Sequence, residues 1–174
     1  MLDFDSLYRE FAPRVQRFVL GLSGDAAVAE DVTAETFVRV WATRDRVRHD
    51  TVRAFLFTIA RNLWLQGIRS KWRQRALDAD DADPAPGPDV QAADRMDLDR
   101  AFKALAVLDP ADRAAILMRA QEEMSYEEIA QSLDITVSAA KVRVHRARKR
   151  LSSTVGAARS AGVGLPTPSK ETTS

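Results

Sequence analysis

The sequence contains no cysteine and only two histidines, His49 and His145. Disulfide bonds and thiolate metal sites are therefore excluded, and two histidines so far apart make a histidine-based zinc site a weak interpretation. The chain shows neither a signal-peptide pattern at its start nor an uncharged apolar run long enough to span a bilayer. We therefore expect a cytoplasmic protein that binds no cofactor and does not insert into a membrane.

Signals for β-strands are also scarce. The chain has no sustained alternation of apolar and polar residues and no Asn-Gly or Asp-Gly hairpin turn. Helical periodicity dominates instead, which predicts an all-α fold. Pro13 interrupts the first apolar stripe, so we expect a kink there or a break into two short helices. The expected helices cover approximately residues 4–22, 26–43, 51–73 and 98–108, then one that starts at Asp109-Pro110 and two more.

The net charge of +1 hides a strong segregation of charge along the chain. Residues 61–77 contain five basic residues and no acid, whereas residues 78–99 contain eight aspartates and one arginine. The acidic stretch is rich in proline and poor in apolar residues, which is typical of a linker. The sequence thus predicts two small helical domains at residues 1–75 and 97–153, a flexible acidic linker at 76–96, and a disordered tail at 154–174.

Residues 124–151 carry the pattern of a helix-turn-helix. Ser125 and Glu128 form a capping-box signature at the start of the first helix. Asp134 stands where the turn needs a residue that tolerates positive φ, and Thr136 can cap the second helix. The inner face of that helix is predicted to hold Ala140, Val144, Ala147 and Leu151. Its other positions are mostly basic, which is typical of a helix that lies in the DNA major groove.

A basic helix can also be a solvated surface, a calmodulin target or a membrane-surface segment. The helix before it is acidic, however, so charge is polarised between neighbouring elements instead of mixed; the acids are Glu122, Glu123, Glu127 and Glu128. The capping, turn and apolar residues also fit the two-helix geometry at several positions together. Since two basic stretches flank an acidic one, DNA binding is the favoured interpretation.

A second basic segment, residues 53–73, interleaves arginine and lysine with aromatic side chains. This combination suits single-stranded nucleic acid, because aromatic rings stack on unpaired bases and cations bind phosphate. The alternative is that the aromatic residues belong to the core, as Phe55 does on the main apolar stripe. Phe57, Trp64 and Trp72 lie off that stripe and are predicted to be exposed. The residues alone leave both interpretations open.

Asp31 and Glu35 lie one helical turn apart, a spacing that could indicate a metal site or a general acid–base pair. No histidine or further carboxylate cluster accompanies them, and Arg39 follows one turn later. A solvated or partner-binding face is therefore favoured over catalysis. The chain also has no nucleophile motif and no glycine-rich phosphate loop, so we expect no enzymatic activity.

Several segments together resemble the sigma factors of bacterial RNA polymerase: residues 29–41, 55–63, 125–130 and 144–151. The resemblance is to the short extracytoplasmic-function type, which keeps only sigma regions 2 and 4. It implies a region 2-like bundle, a region 4-like helix-turn-helix, and a role in promoter-specific transcription initiation. The implied partners are the RNA polymerase core (the β′ clamp helices and the β subunit), promoter DNA and, by default for this family, an anti-sigma factor.

The resemblance also assigns roles to particular residues. Contact with the core polymerase is implied for Asp31, Glu35, Phe37 and Trp41. Recognition and opening of the promoter −10 element is implied for Phe57, Arg61, Asn62, Trp64, Arg69, Lys71 and Arg73. Within that set, Asn62 matches the position that reads a base flipped out of the stack. Recognition of the −35 element is implied for Thr136, Ser138, Lys141, Val142, Arg143, His145 and Arg146. Arg146 is the expected reader of guanine.

Other interpretations fit parts of the sequence. The main alternative is a stand-alone helix-turn-helix regulator, which would bind palindromic duplex DNA as a dimer. Such a regulator would have no use for the acidic second helix or for the aromatic and basic segment. A nucleic-acid-processing enzyme would use Asp31 and Glu35 as metal ligands. A purely structural adaptor would leave both basic stretches unexplained.

Overall fold

The computed structural model describes residues 3–48, 50–77 and 92–161. Within these ranges the chain forms seven α-helices and one short 3-10 turn, and no β-strand, which confirms the all-α class. The helices are α1 (Phe4–Ser23), α2 (Ala26–Ala42), α3 (Val52–Leu77), α4 (Ala92–Ala106), α5 (Pro110–Ala120), α6 (Tyr126–Leu133) and α7 (Val137–Ala161). No helix in the described ranges is long and apolar enough to cross a membrane.

The first helix runs unbroken through Pro13, so of the two outcomes expected there, a kink or a break, the break into two short helices is wrong. Proline removes one backbone hydrogen bond, but the apolar stripe keeps its phase on both sides of it. Phe11 and Val15, which flank the proline, are both buried. Packing of this stripe therefore offsets the missing bond. The helix ends at Gly24, whose φ of 68° lies in the left-handed region that favours glycine.

The boundaries of the later helices differ from the prediction in three places. α3 extends to Leu77 instead of ending near residue 73. α4 begins at Ala92, inside the segment expected to be linker. α7 continues to Ala161, past the predicted domain end at residue 153. The acidic segment 78–91 and the tail 162–174 lie outside the described residues, so their predicted disorder stays a prediction.

The helix-turn-helix forms as its local signals predicted. The Ser125 hydroxyl accepts a hydrogen bond from the Glu128 amide at 3.1 Å, and the Ser125 amide donates to the Glu128 carboxylate at 2.8 Å. Asp134 adopts φ 53° and ψ 51°, the left-handed conformation that the turn requires. The Thr136 hydroxyl accepts from the Ala139 amide at 3.1 Å and so caps α7.

The two halves of the chain, α1–α3 and α4–α7, pack into one body with a continuous apolar core. α1 and α5 approach closely at Gly21, where a Cβ atom would lie 2.9 Å from a methyl carbon of Leu117. Arg113 of α5 donates a 2.6 Å hydrogen bond to the Leu22 carbonyl near the end of α1. The described helices are therefore held together directly, whatever path the acidic segment takes.

Ion pairs reinforce this contact at the corner between α5 and α6. The Glu122 carboxylate is fully buried and lies 2.7 Å from Arg14 Nε of α1. Arg53 of α3 forms a bidentate pair with Glu128, with donor–acceptor distances of 2.5–2.9 Å. Arg53 also donates to the Glu122 carbonyl at 3.3 Å. Both arginines come from the first half of the chain and both carboxylates from the second.

Replacing Arg14 by alanine should lower the free energy of unfolding by about 3 kcal/mol, since it leaves a buried carboxylate without its close partner. The remaining cation, Arg17, lies 3.8 Å from Glu122 and cannot replace the lost hydrogen bond. Denaturant unfolding followed by circular dichroism measures the change. Arg9→Ala, which removes an exposed arginine from the same helix, is the control and should change stability by less than about 0.5 kcal/mol. Equal effects of the two variants would contradict the pairing.

The contact between Arg53 and Glu128 should also make stability depend on acidic pH. Burial alone raises the pKa of Glu128, but hydrogen bonds from Arg53 and from the Ser125 amide hold that pKa below its ordinary value. Because the folded-state pKa is the lower one, the stabilisation is present above the unfolded-state pKa and is lost as pH falls through the folded-state pKa. Between about pH 5 and pH 3, the wild type should therefore lose stability faster than Glu128→Gln. Parallel stability curves would show that this pair contributes nothing.

Candidate nucleic-acid interface

The outer face of α7 carries a row of exposed side chains above a fully buried inner face. Ala140, Val144 and Ala147 have no exposed surface and pack toward α5 and α6. The predicted DNA-facing residues that lie exposed around this helix are Thr136, Ser138, Lys141, Val142, His145 and Arg146. The basic row continues along the exposed positions 148–150. Three of the four predicted inner residues of α7 are thus buried, and the fourth, Leu151, is partly buried.

Two arginines of α7 are bound to an acid that no sequence motif indicates. Asp112, in the first turn of α5, has a side chain only 2% exposed. Its carboxylate accepts hydrogen bonds from Arg146 Nε at 2.6 Å and Nη2 at 2.7 Å, and from Arg143 Nη1 at 2.9 Å. The bonds from Arg146 are the main cause that holds the pKa of Asp112 below its usual range. More than thirty positions separate the acid from Arg146, so no local pattern could have revealed the pair.

Part of the predicted −10 surface is exposed along α3. Asn62, Arg69 and Lys71 all face solvent. Asn62 Oδ1 accepts a 3.3 Å hydrogen bond from Arg61 Nη1. The side chain of Arg73 lies outside the described residues, as does that of Trp72. These exposed residues give α3 a polar and basic edge.

The predicted exposure of Phe57 and Trp64 is wrong. Phe57 has no exposed surface, and its ring packs edge-on against Phe18 at a centroid distance of 5.0 Å. Trp64 is 4% exposed and lies beneath the guanidinium of Arg113 at 5.6 Å. α3 packs against α1, α2 and α6, so a wider arc of this helix is buried than one apolar stripe predicts. The aromatic residues therefore form core and not an exposed stacking surface.

Arg61 of α3 lies near enough to Arg143 of α7 for the two charges to interact. Burial lowers the pKa of Arg61, and the positive charge of Arg143 lowers it further. Its buried Nε has no hydrogen-bond partner among the described residues. Two cations from different halves of the chain are thus held near each other, an arrangement that a bound polyanion would favour.

The α2 surface is acidic and ends in an aromatic cluster. Asp31 and Glu35 are exposed, and the Glu35 carboxylate accepts a 3.0 Å hydrogen bond from Arg39 Nε. Trp41 is 49% exposed and packs edge-on against Phe4. Phe37 is only 3% exposed, so its predicted direct contact with a partner does not fit this conformation. Its position on the inner side of α2 makes it a core residue that supports the surface.

An open cleft of about 420 Å³ lies beside the start of α3. It is lined by Thr43, Val47, Thr51, Ala54, Phe55, Thr58 and Gln131. Gln131 belongs to α6, so the cleft lies where the two halves of the chain meet. Its walls are apolar or carry hydroxyl and amide groups. Within the described ranges, no group of three or more acidic or histidine side chains is placed to share a metal ion.

Comparisons with known proteins agree with this arrangement. The family described as Sigma-70 region 2 matches residues 7–74, and Sigma-70, region 4 matches residues 98–151. The sigma factor SigL of Mycobacterium tuberculosis is 36% identical over 155 residues, which is 86% of this chain and 87% of that protein. SigE of Mycolicibacterium smegmatis is 36% identical over 157 residues, covering 87% of this chain but only 61% of the longer relative.

The fold also matches a solved sigma factor. The structure of RpoE from Bartonella quintana, in complex with the anti-sigma factor NepR, superposes with a TM-score of 0.78 at 28% identity. The match covers 88% of this chain and 97% of that one. Both halves, in the same order, are therefore shared with this family. The chain belongs to the extracytoplasmic-function sigma factors of the sigma-70 family.

Proposed function

We propose that this protein binds core RNA polymerase and directs it to specific promoters in the cytoplasm, with no enzymatic activity of its own. The observation that carries the proposal is that one chain holds an acidic partner surface on α2 and two separate basic surfaces on α3 and α7. A stand-alone regulator needs only the last of these. The family membership of both halves supports the same conclusion.

The α2 surface is the proposed contact with the polymerase, specifically with the β′ clamp helices. Asp31 and Glu35 supply exposed negative charge, and Trp41 supplies half-exposed aromatic area next to it. An aromatic anchor beside complementary charge is the usual composition of an interface centre. Phe37 contributes by holding α2 in place from the core side. The proposal therefore assigns direct contact to three of the four residues that the resemblance indicated.

The exposed edge of α3 is the proposed surface for the −10 element. Asn62 would hydrogen-bond a base that leaves the stack, while Arg69 and Lys71 would bind phosphates of the separated strand. The cleft at the start of α3 has apolar and hydroxyl walls that suit an unstacked base. Phe57 and Trp64 act from the core, because their burial fixes the orientation of α3.

The outer face of α7 is the proposed surface for the −35 element. Arg146 is the expected guanine reader, and the exposed Val142 suits contact with a thymine methyl group. Positions 148–150 add phosphate attraction without sequence information. Arg143, which is mostly buried against α5, would lie near the DNA backbone and contributes chiefly to packing.

Regulation by an anti-sigma factor is part of the proposal. The related RpoE was solved together with its anti-sigma factor NepR. This chain has no cysteine, so control by a thiol switch within it is excluded. We therefore expect the activity of the chain to be controlled by a separate protein that binds one or both of its halves.

Reversing one charge on α2 should weaken binding to the polymerase. Glu35→Arg places a cation next to Arg39 on the proposed contact surface, and we expect about tenfold weaker binding to core RNA polymerase. Size-exclusion co-elution and a fluorescence titration of the labelled full chain measure it. Asp99→Arg, which also reverses a negative charge but at an exposed site on α4, is the control and should bind like wild type. The proposal would be contradicted if the wild-type chain did not bind a core enzyme that accepts another sigma factor. A palindromic footprint of the free chain on DNA would favour a stand-alone regulator.

Removing the amide of Asn62 should impair strand opening without weakening recognition of the duplex. For Asn62→Ala in the assembled holoenzyme, we expect roughly tenfold less open complex, because one hydrogen bond to the extruded base is lost. Permanganate reactivity of unpaired thymines reports opening, and a duplex-binding assay at low temperature reports recognition. Gln16→Ala on α1 removes an exposed amide elsewhere and should leave both readouts unchanged. Equal loss in both assays would contradict a role confined to opening.

A further inference from the structure

Asp112 is the buried acid beneath the recognition helix, and its geometry is that of a clamp on Arg146. Arg146 donates through Nε and Nη2 to both oxygens of the carboxylate, at 2.6 and 2.7 Å. Such a bidentate pair fixes the plane of the guanidinium and not only its position. The Asp112 side chain is 2% exposed, so water competes little for these bonds. Both residues belong to the second half of the chain, so the pair involves no residue of the first half.

The pair with Asp112 does not engage every hydrogen-bond donor of the Arg146 guanidinium. An arginine has five N–H donors in a fixed fork, and Asp112 occupies the edge formed by Nε and Nη2. The edge formed by Nη1 and the other Nη2 proton remains for a second acceptor pair. The side chain of Arg146 is 50% exposed, so it is accessible from outside while Asp112 holds it from below. Guanine O6 and N7 are such an acceptor pair.

Asp112 also reduces the positive charge of the α7 surface. It shares one negative charge between Arg146 and Arg143, the latter at 2.9 Å. Two arginines and one aspartate carry a net charge of +1 where the arginines alone would carry +2. Phosphate attraction depends on that charge and carries no sequence information. An acid at this place therefore lowers affinity for all DNA sequences to a similar extent.

We propose that Asp112 is a positioning residue that sets the sequence specificity of α7, by orienting Arg146 for one guanine and by limiting phosphate attraction. The inference rests on the proposed function of α7 as the −35 reader. Without Asp112, Arg146 can rotate toward a phosphate, which every DNA sequence offers. Discrimination between bases then falls while general affinity rises.

Two other roles for Asp112 give different results. If the acid only joins α5 to α7, its loss weakens binding to matched and mismatched DNA equally. If it only masks Arg146, its loss strengthens binding to both and leaves their ratio unchanged. Only a positioning role predicts a change in the ratio of the affinity for matched DNA to the affinity for mismatched DNA.

The experiment uses the full chain assembled with core RNA polymerase. The wild-type holoenzyme selects duplexes from a pool of random sequence, and Arg146→Ala identifies the guanine whose enrichment depends on that arginine. Binding of wild type and Asp112→Asn is then titrated on the selected duplex and on the same duplex with that base pair replaced. The titrations are repeated at several potassium chloride concentrations.

For Asp112→Asn we expect the ratio of matched to mismatched affinity to fall about fivefold to tenfold, since the guanine-binding side chain loses its fixed orientation. Affinity for the mismatched duplex should rise, and the slope of log K against log salt should steepen by about 0.9 for each additional phosphate that the protein neutralises. An unchanged ratio, or equal weakening on both duplexes, would overturn the proposal.

Asp109→Asn is the matched control. Asp109 lies three residues earlier, is 58% exposed, and approaches Arg143 at 3.6 Å. The Asp109 side chain accepts no capping hydrogen bond at the start of α5, so its replacement removes the same charge without removing a cap or a bond to Arg146. We expect this variant to show any increase in affinity that comes from the lost negative charge. Its ratio of matched to mismatched affinity should equal that of the wild type. Loss of the ratio in both variants would show that charge alone accounts for the effect and would contradict positioning by Asp112.

A second measurement keeps the inference testable if Asp112→Asn does not fold. In the wild-type chain, the Arg146 Nε–H resonance is assigned by its loss in Arg146→Lys. We expect it to be protected from exchange with water in the free protein and in the DNA complex, because the carboxylate holds it in both states. Rapid exchange in the complex would overturn the proposal. If Arg146→Ala still discriminates fully between matched and mismatched DNA, Arg146 is not a base reader, and the proposed role of Asp112 is contradicted too. Binding to the polymerase is tested separately by the Glu35→Arg experiment.

Discussion

The orientation of the two halves of this protein depends on two carboxylates at the corner between α5 and α6. Glu122 is fully buried, and a buried charge costs several kcal/mol unless a partner lies close to it. That partner is Arg14 of α1 at 2.7 Å, and Arg53 of α3 binds Glu128 in the same way. The first half thus supplies cations where the second half has acids. Since α7 packs on α5 and α6, these pairs also fix α7 relative to α3.

The cations of the two basic surfaces differ in how they are held. Arg146 is bound by an acid from below, and Arg61 lies half-buried near another cation. Lys141, Arg69 and Lys71 are instead exposed. A cation with a fixed orientation suits recognition of a particular base, whereas an exposed flexible one suits attraction to phosphate. Burial and pairing therefore separate the basic residues of these surfaces into cations with a fixed orientation and cations that are free to move.

The structural features that could be predicted from the sequence are those that depend on residues only a few positions apart. Three features could be predicted for this reason: the capping box at Ser125, the left-handed conformation of Asp134 and the inner face of α7. The burial of Phe57 and Trp64 was not, because it follows from helices that cover α3 on several sides. The pairing of Asp112 with Arg146 joins residues more than thirty positions apart, and only the packing of α5 on α7 reveals it. Exposure and partnership are tertiary properties, whereas turns and caps are local.

The close approach at Gly21 carries a consequence for binding equilibria. A Cβ atom at this position would lie 2.9 and 3.0 Å from the two methyl carbons of Leu117, so the Leu117 side chain would have to move to keep the contact. A ligand that bound only the separated halves would have to compete with this contact. Its apparent dissociation constant then equals the intrinsic one divided by the open fraction, so a tenfold excess of closed molecules weakens binding about tenfold. A side chain at position 21 too large for Leu117 to make room for would raise the open fraction, and affinity for such a ligand would increase although no atom of the binding surface had changed.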